Sequence, residues 1–197
     1  IRLYAVEYYC GKCDEQGHDR TDFKGYKSVS EDDIALFEKA KQEWEESEDL
    51  RKYVPDKPIR PGWSTMANQF EGSMSGNGNL PRHGYNEWTD LYSERQLLLL
   101  SKILESIDNI ENQNLKEFLI LAVSDSLRTN CMMVSYDSGY NKIDHIFRLN
   151  RLNPPMYPVE NNVWGTEYGR GTFESTFDMI RSSVEYAKSP TERYVEN

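Results

Sequence analysis

The chain has 197 residues, 38% of them hydrophobic and 28% charged, which suits one domain with a real core. No run approaches the roughly eighteen apolar residues of a membrane span. The net charge of −10 argues against a surface that grips DNA throughout, because phosphate neutralisation needs basic side chains, so any nucleic-acid contact has to be a local patch or the work of another domain.

Three cysteines do not make a disulfide scaffold, and an odd number fits a reducing cytoplasm. Ile1 stands inside a strand-like run, with neither an initiator Met nor a signal peptide ahead of it. The chain therefore reads as one domain cut from a longer protein, with motifs of the whole expected outside it.

Residues 1–29 predict a β-hairpin. "IRLYAVEYY" is rich in strand formers, "CGKCDEQGHD" is a polar turn and "FKGYKSV" is the returning strand. Residues 30–52 predict an acidic helix capped by Ser30, with Ile34, Phe37, Ala40 (or Lys41) and Trp44 as its buried stripe. Residues 53–90 lose all periodicity among Pro55, Pro58, Pro61 and Pro81 and the glycines from Gly62 to Gly84, so they predict a long loop with "EGSMSGNGN" at its tip.

Residues 91–134 predict a helical hairpin. Ser93 and Gln96 have capping-box spacing, and Leu97, Leu100, Leu104 and Ile107 form one face, widened by Ile103 and Ile110. After the break at Asn112–Asn114, the stripe Leu115, Phe118, Leu119, Ala122, Val123 and Ser126 predicts the second helix. Residues 135–171 read as a loop region with a turn in "SYDSGYNK". Residues 172–188 predict a helix with Phe173, Phe177, Ile180 and Val184 on one face, and 189–197 a tail. The expected class is α+β, mainly α.

Three stretches in order, "RLYAVEYY…FKGYKSVSEDDIALFEKA", "YNEWTDLYSERQLLLLSKIL" and "VENNVWGTEYGRGTFESTF", resemble the central region of the large adenine-specific DNA methylases that contain a zinc ribbon. The resemblance covers roughly residues 1–185, and Trp88–Leu100 is its most specific part. It implies a parent protein that binds S-adenosylmethionine and methylates adenine in DNA. In that family such a helical segment lies between the ribbon and a downstream Asp-Pro-Pro-Tyr catalytic loop. This chain itself is expected to bind no cofactor, because it reads as offering no parallel-sheet edge, glycine turn and ribose-binding acid in order.

Asn153-Pro154-Pro155-Met156 is similar to the tetrapeptide of amino-methyltransferases, in which Asn or Asp and the first proline carbonyl accept hydrogen bonds from the target amine. That chemistry needs a buried strand leading in and an aromatic ring at the fourth position to stack on the flipped base. Polar Arg148, Asn150 and Arg151 precede the motif, and Met156 has no π-face. The tetrapeptide therefore reads as a lookalike, with no catalytic residue expected in this chain. Gly169 and Gly171 precede a helix but follow no hydrophobic strand, and read as a loop feeding a cap at Thr172, with Glu160, Asn161 and Asn162 bracing it.

Cys10 and Cys13 have zinc-knuckle spacing, and His18 is a third candidate, but a closed site needs four ligands. The rest of a ribbon lies before Ile1, or these are hairpin-tip thiols. Cys131 reads as a buried small hydrophobe. For DNA contact the candidates are Arg82, Tyr85, Trp88, Arg95, Arg148 and Arg151, with His83 and Tyr92 near the first of these. The competing reading has Trp88 and Tyr92 staple a helix start while Arg95 holds a carboxylate. The expected role is a non-catalytic segment that helps to form the target-DNA cleft. The alternatives are a protein-interaction or structural domain and a zinc-stabilised module.

Overall fold

A computed structural model describes residues 3–16, 24–60, 80–148, 152, 154–166 and 169–191. In chain order its elements are β1 (Ala5–Tyr9), α1 (Gly11–Glu15), β2 (Lys24–Ser28), α2 (Glu31–Glu46), α3 (Glu94–Asp108), α4 (Gln113–Ser126), β3 (Tyr136–Asp137), β4 (Lys142–Ile143) and α5 (Phe173–Lys188). Short 3-10 turns stand at Glu48–Tyr53, Leu80–His83, Trp88–Leu91 and Ile146–Arg148. The class is α+β and mainly α. The described sheets are two antiparallel ribbons, β1–β2 running from Ala5↔Ser28 to Tyr9↔Lys24, and β3–β4 pairing Tyr136 with Ile143. No described helix is long and apolar enough to cross a membrane.

The helix that organises the core is α3. Ser93 caps it reciprocally with Gln96: the Gln96 amide donates to Ser93 Oγ at 3.1 Å and the Ser93 amide to Gln96 Oε1 at 3.1 Å, so two otherwise orphaned donors are satisfied. Leu97, Leu98, Leu100, Ile103 and Ile107 are all buried, a stripe wider than one neighbour would need. The width follows from its two neighbours. Leu97 and Leu98 meet Trp44 and Leu50, while Leu100, Ile103 and Ile107 meet Ala122, Val123, Val163 and Phe173. A further cluster gathers Ile59, Leu80, Leu91, Cys131, Met133 and Val134. Tyr92, just before the Ser93 cap, packs against all three clusters.

Three expectations change. In α2, Phe37 and Trp44 are buried but Ile34 is 47% exposed, because the first turn of the helix lies outside the Trp44 cluster. In α4, Leu115 and Phe118 are 45% and 43% exposed, whereas Ala122, Val123 and Ser126 are buried. The run Leu115–Val123 carries apolar side chains on every face, so periodicity alone leaves its orientation open. The small Ala122 decides it, letting α5 approach until Thr176 Oγ1 donates to the Ala122 carbonyl at 3.0 Å. The third change is in the stretch expected as a turn, where "GKCDE" winds into the short helix α1.

The expected long loop 53–90 is clamped at its base. The Ile59 amide donates to the Asn86 carbonyl at 2.7 Å, and Pro58 bridges Glu87. Leu80 is fully buried and Ile59 nearly so, which anchors both ends to one cluster. Its expected tip, 71–79, lies outside the described residues, as do His18 and the end of the tail. The "SYDSGYNK" turn closes β3 onto β4 with Asn141 at φ 49°, the left-handed region that Asn tolerates better than most residues.

Candidate nucleic-acid interface

The loop clamp gathers side chains that are distant in sequence. Lys57 and Arg60 are exposed on one arm, and His83 is exposed on the other, ahead of Tyr85 and Trp88. Tyr85 and Trp88 are half-buried against the Leu80–Leu91 cluster, and burial raises the Tyr85 phenol. Ile146 and Leu152, which flank Arg148 and Arg151, pack on that same cluster. Arg82 and Arg148 are described by backbone only, in the 80–83 and 146–148 turns, and Arg151 lies outside the described residues. Lys57 and Arg60 were not among the sequence candidates. The signal for them was faint, an apolar Ile59 between basic residues beside Pro58.

Arg95 is engaged elsewhere. Its Nε donates to Glu160 Oε1 at 2.8 Å, and its guanidinium lies 5.4 Å from the Phe37 ring centroid. Glu160 is 8% exposed, so the pair supplies the counter-charge that a nearly buried carboxylate requires. The expected brace by Glu160 thus reaches α3 by a side-chain ion pair. Beside the basic arm, a groove carries Asp56, Glu87, Asp90 and Glu94 against Arg51. Those carboxylates repel phosphate, and one of them, Asp56, stands 3.4 Å from Lys57 Nζ.

Of the tetrapeptide, Pro154 and Pro155 are half-buried, Met156 is 84% exposed and Asn153 lies outside the described residues. Tyr157, next in the chain, is 70% exposed. At the start of α5 the amides an anion would need are occupied. Thr172 donates to Ser175 Oγ at 3.0 Å, Phe173 to the Val163 carbonyl at 2.8 Å, Glu174 to the Trp164 carbonyl at 2.9 Å and Ser175 back to Thr172 Oγ1 at 3.3 Å. With the first turn fully paired, this helix start offers no phosphate cradle. Asn161 Nδ2 donates to the Arg170 carbonyl at 3.0 Å, and Asn162 Oδ1 accepts from the Gly165 amide at 3.2 Å, bracing the loop.

Cys10 is half-buried at the end of β1, and Cys13 sits in α1 with its side chain undescribed. Among the described residues no group of three or more His, Cys, Asp or Glu side chains stands at metal-binding range. Cys131 is fully buried, and burial pushes its thiol up to about 11, which makes it an inert packing group at neutral pH.

A polar network that sequence reading missed joins the two ribbons. Lys24 Nζ lies 3.0 Å from Glu7 Oε1 and donates to the Asn141 carbonyl at 2.7 Å. Tyr136 OH donates to Glu7 Oε2 at 2.7 Å, and Tyr26 and Tyr136 share a hydrogen bond of 2.5 Å. Burial, then its contacts with Tyr26 and Glu7, raise the Tyr136 phenol. The partners are more than a hundred residues apart in sequence, and no local motif announces them.

Comparison with protein-family models, with curated proteins and with solved structures finds no match to this chain.

Proposed function

We propose that the chain is a non-catalytic segment of an S-adenosylmethionine-dependent adenine DNA methylase and helps to form its target-DNA cleft. One observation supports a role in DNA contact: the Pro58–Glu87 bridge and the Leu80–Leu91 cluster bring the 57–60 arm, with exposed Lys57 and Arg60, together with Tyr85 and Trp88. Cations hold phosphates and aromatic rings stack on bases, and both are needed where a base is to be flipped. The family assignment itself rests on the Trp88–Leu100 stretch and its two flanking likenesses.

Fluorescence anisotropy with a labelled duplex tests the reading. The chain should bind at about 50 mM salt, weaken steeply as salt rises, and lose about one unit of salt slope per phosphate contact removed. The double change Lys57→Glu/Arg60→Glu should weaken binding by at least about tenfold, since two phosphate-facing charges reverse. No binding at low salt, or a double variant that binds as tightly as the parent chain, rejects the DNA-contact role. Calorimetric titration with S-adenosylmethionine should give no heat.

A second reading, a protein-interaction surface, is favoured by α4. Leu115, Phe118 and Leu121 stand 45%, 43% and 56% exposed on one helix, and apolar patches of this kind mark contact surfaces. If that reading holds, Leu121→Glu should abolish association with the other domains of the parent protein, while Lys57→Glu/Arg60→Glu should not.

A further inference from the structure

A two-stranded ribbon is marginal in water unless something apolar covers one face. None of the described residues from 3 to 29 is buried, and none belongs to the three hydrophobic clusters. The β1–β2 ribbon is instead attached by polar groups. Directly opposite residues share a face, so Glu7 and Tyr26, with Tyr9 and Lys24, present one side, and that side meets Tyr136 and Asn141 of the second ribbon.

The contact is a latch around one ammonium. Lys24 Nζ is held by Glu7 Oε1 at 3.0 Å and the Asn141 carbonyl at 2.7 Å, with the rings of Tyr9 and Tyr136 at 5.6 and 5.9 Å. The phenols of Tyr26 and Tyr136 both reach Asn141 Oδ1. A second tie lies at the ribbon's base, where Lys27 pairs with Asp33 at 2.8 Å. Only Val29 and Ser30 separate β2 from α2, and Ser30 is fixed as the α2 cap.

We propose that the N-terminal ribbon is a hinged strap, closed by the Lys24–Glu7–Tyr136–Asn141 latch and able to swing away at Val29 while the helical body stays folded. The reason is an imbalance of forces. Opening the latch trades protein hydrogen bonds for water hydrogen bonds at small net cost, whereas opening the body exposes the apolar clusters. Once open, the strap exposes Glu7, Lys24 and Tyr26 on one surface and Tyr136 and Asn141 on the other.

Hydrogen exchange of the full chain, read by mass spectrometry, tests this. Amides of Ala5–Tyr9 and Lys24–Ser28 should exchange at least about tenfold faster than those of α3, because they report local opening. Lys24→Met should speed strap exchange about tenfold further, the effect of losing a charge-assisted hydrogen bond, and leave α3 unchanged. The smaller change Tyr136→Phe should act in the same direction with no cavity or charge introduced. Three results overturn the proposal: strap amides protected as strongly as α3, variants that speed α3 equally, or strap exchange indifferent to both substitutions.

Discussion

Gly171→Ala should be among the most damaging single-methyl additions in the described chain. Gly171 sits at φ +64°, and an added Cβ would lie 2.3 Å from Thr129 Oγ1 and 2.8 Å from Thr129 Cβ and Cγ2. The left-handed conformation alone costs a non-glycine residue roughly 1–2 kcal/mol. Relieving the overlap must move Thr129 or the loop, which breaks the bonds that Thr129 Oγ1 and Asn130 Nδ2 donate to the Gly171 carbonyl, at 2.5 and 2.9 Å. Each lost bond costs about 1 kcal/mol, more where a buried donor is left unpaired, and Asn130 is fully buried. The sum is about 3–5 kcal/mol, read by urea denaturation with circular dichroism, and a melting temperature lower by roughly 6–20 °C. Thr129→Ala/Gly171→Ala should recover about 1–2 kcal/mol relative to the additive expectation, because two of the three colliding atoms, Oγ1 and Cγ2, are gone while Cβ stays. Gly11→Ala, where nothing lies within 4 Å, should fall within about 0.5 kcal/mol of the parent chain. A Gly171→Ala loss below about 1 kcal/mol, or strict additivity of the double variant, would refute the reasoning.

Four further outcomes follow from the geometry. Leu100→Ala, buried at 6% exposure between α4 and α5, should cost about 2–5 kcal/mol in the same denaturation assay, while half-buried Leu104 should cost less. Phe118→Lys, at 43% exposure, should change stability by no more than about 0.5 kcal/mol despite removing a large apolar ring. Cys131, its thiol raised to about 11 by burial, should resist iodoacetamide at pH 8 and react only on denaturation; labelling in the native chain would place it at the surface. The Tyr136 phenol is raised in the folded chain by burial and by its bonds to Tyr26 and Glu7. Because a raised pKa means the neutral form is the one held, this contribution to strap closure is intact at neutral pH and lost as pH rises above the ordinary tyrosine value near 10. Strap exchange, corrected for its intrinsic pH dependence, should therefore accelerate above about pH 10, and less so in Tyr136→Phe.

Local chemistry wrote much of the architecture into the residues themselves. Ser30, Ser93 and Thr172 cap α2, α3 and α5 because their hydroxyls reach an amide three residues on, a bond that needs no distant partner. The leucine stripe of α3 is legible for the same reason: its period exceeds chance, and any apolar neighbour satisfies it. Where the signal was not local, only the tertiary structure decided. The run from Leu115 to Val123 is apolar all round, and its buried face was chosen by how closely α5 approaches Ala122. Arg95 stands 65 residues from Glu160, and Lys24 stands 117 from Asn141, so neither pairing leaves a periodic trace. The same holds at Ile59 and Asn86, whose hydrogen bond closes the loop base and sets Lys57 and Pro58 opposite Trp88 and Glu87. Caps and stripes depend on neighbours within one turn, whereas a binding surface depends on which distant segments the core pulls together.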